Sequence, residues 1–263
     1  MTAASGAGYR PTYSMDNRWR AELDRLQLLE NSMDPMTEQR LDKVGVGPGW
    51  HCLEVGAGAG SVVRMIAERV GADGRVLAVD LQPALLDDLD VANVEVRQLD
   101  VVTGELPEAA FDLVHTRAVL MHIGQRDQVL PKLVKALRPG GTLLLEEVDM
   151  SPAFEGDNIF GEAVRAVHPY IEAAGGSLRW ARAMPDWVAA TGLEDIGSSV
   201  EYTTMAGGST LAQFFRLSWL ELLEKIDFTE AERGLIESCR AALDEPVGNY
   251  PGWDLVTVWG RKA

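Results

Sequence analysis

The sequence holds only two cysteines, Cys52 and Cys239, far apart and with no partner spacing for metal or redox chemistry. That excludes a disulfide scaffold and a structural zinc site, no metal is expected, and reduced thiols in the cytoplasm are. Positive charge is scarce as well: 24 Lys and Arg face 40 Asp and Glu, a formal charge of -16. Such a field repels phosphate backbones and anionic lipid surfaces, and the basic residues form no run interleaved with aromatics. Neither nucleic acid nor membrane is therefore an expected partner. No apolar run approaches the length of a bilayer span, and Met1 to Arg10 lacks a basic segment followed by an apolar one, so no secretory leader is expected. Internal repeats, low-complexity tracts and long linkers are absent too.

What remains is an ordinary globular composition, 46% hydrophobic and 24% charged, in 263 residues. That is long enough for one elaborated α/β domain or a domain with a cap. The first dozen residues are small, polar and turn-rich. From Ser14 the spacing predicts a helix, with Trp19, Leu23, Leu26 and Leu29 on one face, and Asp34-Pro35 reads as the cap and first position of a second helix. After Gly45-Val-Gly-Pro-Gly49, short β runs (51–55, 75–80, 94–99, 111–116 and 142–148) alternate with amphipathic helices, which implies parallel strands joined by crossovers. Before the last run, Val129, Leu130, Leu133, Val134 and Leu137 mark a helical face that Arg138-Pro-Gly-Gly141 ends. Beyond Asp149 the pattern predicts helices over 159–174 and 185–190, then a strand over 196–203. Two more helices follow, one through Leu211 to Leu222 and one from a capping box at Thr229 and Glu232, before a closing strand over 254–259.

The chemistry concentrates in Leu53-Glu-Val-Gly56-Ala-Gly58-Ala-Gly60-Ser, a strand that runs into glycines and then a helix. Glycines admit positive φ and close approach of a ligand, while a helix N-terminus offers unpaired N–H groups, so a polar or anionic ligand is expected there. A dinucleotide fingerprint, G-x-G-x-x-G, needs a third glycine at position 61, and position 61 is Ser. The pattern is G-x-G-x-G, with Glu54 two residues before the first glycine. Asp80 ends the second strand about where either nucleotide cofactor wants an acid for its ribose.

These pieces, with Asp100 after the third strand, Phe111-Asp-Leu-Val and a loop to His122, and Leu-Arg-Pro-Gly-Gly-Thr before the fifth strand, resemble the class I S-adenosylmethionine (SAM)-dependent methyltransferases. The resemblance covers about residues 45 to 150 and is nearest to the small-molecule branch that includes ubiquinone- and menaquinone-biosynthesis methyltransferases. It implies an α/β, Rossmann-like, seven-stranded, mostly parallel sheet with helices on both faces, N-terminal helices and a helical cap from insertions. Residues 1–44 would be a helical lead-in or lid, and 45–263 the SAM-binding domain with insertions at about 150–180 and 205–250. The strands near 196–203 and 254–259 would form an antiparallel edge hairpin.

Carried over position by position, the resemblance sets Gly56, Ala57, Gly58 and Gly60 against SAM, with Glu54 near its ammonium. Asp80 and Leu81 would take the ribose, Asp100 and Val101 the adenine, and Thr116 and Arg117 would lie along the cofactor. Asp80 also reads as a helix cap, and Asp100 as a loop residue. His122 and His168 are the candidate bases; each also reads as an ordinary packed or surface histidine. Tyr13, Trp19, His168, Tyr170, Phe214, Phe215 and Trp219 are candidates to enclose a flat organic acceptor, against a default of core packing.

Methyl transfer is an in-line displacement that depends mainly on holding two reactants in line. The resemblance does not choose between oxygen, nitrogen and carbon as the atom methylated, and it leaves homodimerisation open. Two rivals stand: a methyltransferase-fold protein that uses SAM for non-methylating work or binding, and an NAD-dependent oxidoreductase, which Ser61 disfavours.

Overall fold

The computed structural model describes residues 20–263. Tyr13, Trp19 and the expected helix start at Ser14 lie outside the described residues. Seven strands form one sheet in the order β3-β2-β1-β4-β5-β7-β6. They are β1 (His51–Val55), β2 (Arg75–Asp80), β3 (Val94–Gln98), β4 (Phe111–Arg117), β5 (Leu137–Asp149), β6 (Glu194–Ala206) and β7 (Asn249–Arg261). The first five run parallel, and β7 lies antiparallel between β5 and β6. The expected edge pair is thus present, with β6 outermost. Chain order reverses at β1, between β2 and β4, which opens a crevice beyond the strand ends.

The central strands are rich in apolar residues because both faces are covered. On one face Leu53, Val55, Val114, Leu143 and Leu145 pack under α3 (Arg126–Ala136) and α6 (Met184–Ala189). On the other, Cys52, Ala78, Leu113 and Leu144 pack under α2 (Ser61–Val70) and the end of α1 (Glu22–Val44). A third cluster stands beyond the strand ends, where the start of α1 meets α5 (Ile159–Ala173), α7 (Thr210–Lys225) and α8 (Glu230–Asp244); a short α4 (Ser151–Glu155) leads into α5. The α8 capping box forms as its sequence requires, with Thr229 and Glu232 exchanging side-chain and backbone bonds.

One boundary differs from the sequence reading. A single helix, α1, runs through Asp34 and Pro35, where a second helix was expected to start. The Asp34 carboxylate is drawn sideways, accepting from the Ser61 hydroxyl at 2.9 Å and the Arg117 guanidinium at 2.8 Å. It does not cap. Tertiary contacts carry α1 past a proline that removes one helical donor. A second, smaller difference is that β5 begins at Leu137, directly after α3, so Arg138 to Gly141 belong to the strand.

Candidate functional site

The glycine turn between β1 and α2 needs its glycines for two separate reasons. Gly56, Gly58 and Gly60 all have positive φ, at 76°, 56° and 92°. A Cβ on Gly56 would also stand 2.1 Å from a Val119 methyl, whereas one on Gly58 would stand in open space at the cavity's edge, with no atom nearer than 3.9 Å. Gly56 makes room for the neighbouring loop and Gly58 leaves room for a ligand.

Asp80, at the end of β2, ties this turn to its own loop. Its carboxylate accepts from the Gly58 N–H at 3.0 Å and the Gln82 N–H at 2.8 Å. Burial raises its pKa, opposed by the backbone donors of Gln82, Gly58 and Leu81. Two carboxylate oxygens with about four lone-pair sites retain capacity for a diol. Across the cavity, Asp100 accepts from the Val102 N–H at 2.9 Å. Lys132 on α3 holds that loop by donating to the carbonyls of Val101, Val102 and Gly104 at 3.3, 2.5 and 3.1 Å.

The first N–H of α2 is answered from within the chain. The Ser61 N–H donates to Glu30 of α1 at 3.0 Å, and Arg117 bridges Asp34, Thr37 and the Ser61 hydroxyl at 2.8, 2.9 and 3.1 Å. One of the N–H groups expected to be free there, that of Ser61, is therefore already taken. Two carboxylates stand where a dinucleotide would bring its pyrophosphate, and their charge opposes one.

Beneath the turn, His115 of β4 lies between two carboxylates. Nδ1 is 2.5 Å from Glu54 of β1 and Nε2 is 3.0 Å from Glu146 of β5, all three side chains fully buried or nearly so. Burial pulls the imidazole pKa down, but the Glu54 charge and the bonds to both carboxylates push it up to about 9. Glu146 is held low by the same contacts, against burial that would raise it.

After β4 the chain turns sharply at Ala118, a non-glycine residue at φ 53°. The buried Glu147 carboxylate fixes this turn by accepting from the N–H groups of Val119, Leu120 and Met121 at 3.1, 2.8 and 3.1 Å. Burial lifts its pKa to about 7 despite those bonds. The turn delivers His122 to the cavity, where burial, then Arg25 and Arg126, push the imidazole down to about 4. At neutral pH it carries no charge.

One cavity of about 250 Å³ joins these parts to an apolar chamber. Glu54, Gly56, Ala57, Gly58, Asp80, Leu81, Asp100, Val101, Arg117, His122, Phe214, Phe215 and Trp219 all line it. The rings of Phe214, Phe215, Trp219 and Trp253 pack edge-on or tilted at 5.3 to 5.8 Å along one wall. Arg25 also faces the cavity, but its guanidinium is committed to Glu22 at 2.6 and 2.7 Å and approaches Glu221 at 3.6 Å.

Four other candidates fall outside that lining. Gly60 caps α2, and a Cβ there would meet Arg64 and Leu86 at 2.9 Å; Thr116 is buried within β4. His168 sits about 100° round α5 from Val167, because the helix turns Val164, Val167 and Ile171 to the cavity. It pairs with Glu172 at 3.2 Å and lies edge-on to Phe154 at 4.7 Å. Tyr170 fastens α5 to α8, its hydroxyl donating to Glu232 at 2.9 Å and its ring lying 4.7 Å from Phe228.

Sequence reasoning missed His115, Glu146, Glu147 and Glu30. The signal for the strand residues was available: Glu146 and Glu147 interrupt the apolar run of β5, and a charge inside a buried strand needs a partner. Among the described residues no group of acidic, His or Cys side chains can hold a metal ion, and no helix is long and apolar enough to cross a membrane.

Residues 53–143 match a family model described as a methyltransferase domain. The chain is 35% identical to the methyltransferase str3 of Strobilurus tenacellus over 52% of its own length and 49% of that protein's. It is 30% identical to a ubiquinone/menaquinone biosynthesis C-methyltransferase of Hahella chejuensis over 41% of its length and 46% of the relative's. The chain thus spans about half the length of the curated relatives it matches. Its fold is similar to that of phosphoethanolamine N-methyltransferase 2 of Haemonchus contortus in complex with SAM, with a TM-score of 0.61 at 19% identity, over 97% of this chain and 60% of that one.

Proposed function

We propose that the chain is a class I SAM-dependent methyltransferase that transfers a methyl group from SAM to a small, largely apolar organic acceptor. The observation that carries this reading is a single cavity with two unlike ends. One is built from glycine backbone and acceptors for hydroxyls and amines; the other is an aromatic and aliphatic chamber with a neutral imidazole on its wall. The open space at Gly58 and the acceptor capacity of Asp80 and Asp100 suit a nucleoside, while Glu30 and Asp34 at the head of α2 disfavour the pyrophosphate of NAD.

Bound SAM supplies an electrophilic methyl group on a sulfonium sulfur. Asp80 would hold its ribose hydroxyls, Asp100 with the Val101 backbone its adenine, and the glycine turn its amino-acid end. The chamber rings exclude water and confine the acceptor, so the enzyme's main contribution is alignment. His122 is a weak base at a pKa of about 4, yet that suffices for an oxygen or nitrogen acceptor. An acceptor that has just gained a methyl group holds its proton far more loosely than before, so a neutral imidazole can receive it late in the step. Arg25 and Arg126 then favour prompt release of that proton from His122.

The chamber also argues for acceptor charge. Its cation, Arg25, is already held by Glu22 and Glu221, which leaves an anionic acceptor without a partner. The overall charge of -16 disfavours nucleic acid for the same reason, and two buried thiols with pKa values of about 12 suit a reducing cytoplasm. Incubation with methyl-labelled SAM and a panel of flat phenols, amines and their phosphorylated counterparts tests the reading. Label should pass to uncharged members; preference for the phosphorylated ones would overturn the acceptor class.

A further inference from the structure

The family resemblance sets Glu54 against the cofactor's ammonium; in the structure its Oε2 is bonded to His115 while the residue still lines the cavity. An ionised carboxylate only accepts, so two of them on the two nitrogens of His115 require a proton on each nitrogen. The ring is an imidazolium, and the charge of Glu54 is answered from beneath by the protein. Its geometry is fixed by the strands: β1 sets Glu54 beside His115 of β4, and β5 places Glu146, in register with Arg117, within reach of the ring.

A second carboxylate reaches the same end of the cavity from α1. Glu30 lines it beside Gly58, Ala59 and Ser61, and accepts the Ser61 N–H with one oxygen at 3.0 Å. Arg117, the cation beside it, spends its bonds on Asp34, Thr37 and Ser61. No Lys, Arg or His lies within ion-pair distance of Glu30 among the described residues. Burial raises its pKa, the Ser61 N–H lowers it, the nearby Asp34 raises it and Arg117 lowers it; with the net shift upward, the site gains from a cation supplied by a ligand.

We infer that Glu30 of α1 joins Glu54 of β1 in binding the ammonium group at the amino-acid end of the cofactor. His115 then acts as a positioning residue that locks Glu54 into the strand floor. This rests on the proposed use of SAM, and it gives α1 a binding role that the glycine motif does not announce.

Titration calorimetry with two ligands isolates the claim. S-adenosylhomocysteine carries the amino-acid end; methylthioadenosine shares its adenine, ribose and thioether but lacks that end. Glu30→Gln keeps an oxygen for the Ser61 N–H and removes only charge. It should weaken S-adenosylhomocysteine about ten- to a hundredfold, the range for a hydrogen bond to a charged group, and change methylthioadenosine by less than about twofold. Glu54→Gln, which also disturbs the His115 contact, should lower the melting temperature and weaken S-adenosylhomocysteine as well. The inference is overturned if Glu30→Gln leaves S-adenosylhomocysteine unchanged or weakens both ligands equally. A wild-type protein that binds neither ligand would instead overturn the use of SAM itself.

Discussion

The two ends of the cavity are made by opposite means. At the nucleotide end, backbone does the shaping: glycines at positive φ, strand termini, and carboxylates that accept from N–H groups two residues on or in the neighbouring glycine turn. At the acceptor end, side chains do it, brought from α1, α5 and α7, helices up to nearly two hundred residues apart. A surface built from backbone tolerates little change in residue type but gives a local motif. A surface built from side chains can be re-cut for another ligand by changing those side chains, and leaves no motif. The buried charges lie mostly at the joint between the two ends, where His115 and Glu147 brace the strand floor and the turn that carries His122.

The comparison can be strained from the floor upward. His115→Ala leaves Glu54 and Glu146 as two buried carboxylates without their cation, and should destabilise the fold by about 3 to 5 kcal/mol in chemical denaturation. The wild-type ring also makes a pH signature. Its pKa is raised from 6.5 to about 9, so its stabilisation is fully present below pH 6.5 and is lost as pH rises through 9. That amounts to roughly 3 kcal/mol at 1.36 kcal/mol per pH unit. Melting temperature should fall over this window in the wild type and stay nearly flat in the variant. Gly56→Ala comes next: strain at φ 76° and collision with Val119 should together cost about 2 to 4 kcal/mol and displace the turn carrying His122. Smallest is His168→Ala, partly exposed and outside the cavity, which should alter stability by under about 0.5 kcal/mol and leave methyl transfer unchanged. A large loss of activity in that variant would return His168 to the site.

How far each end was legible in the sequence follows from the same contrast. Gly56, Gly58, Asp80 and Asp100 announce themselves because a strand, a turn and a helix start are local patterns with fixed residue demands. The strand runs were equally plain, down to the edge pair formed by β6 and β7. Asp34-Pro35 misled because a cap signature is also local, and here Ser61 and Arg117, far along the chain, took the carboxylate instead. His168 looked like Tyr170 and Phe214 as a cap residue. Only the rotation of α5 about its axis, set by how Val164, Val167 and Ile171 pack, separates it from the cavity. Glu30 carried no signal at all, since its partner at Ser61 depends on how α1 crosses the sheet.

The central claim, that the polar end of this cavity is built for SAM and not for a dinucleotide, is tested most directly by thermal unfolding with each ligand in turn. S-adenosylhomocysteine at a hundred times its dissociation constant should stabilise the protein by about 2.7 kcal/mol, and NAD at the same concentration should leave the transition where it was. Stabilisation by NAD with no response to S-adenosylhomocysteine would contradict the account.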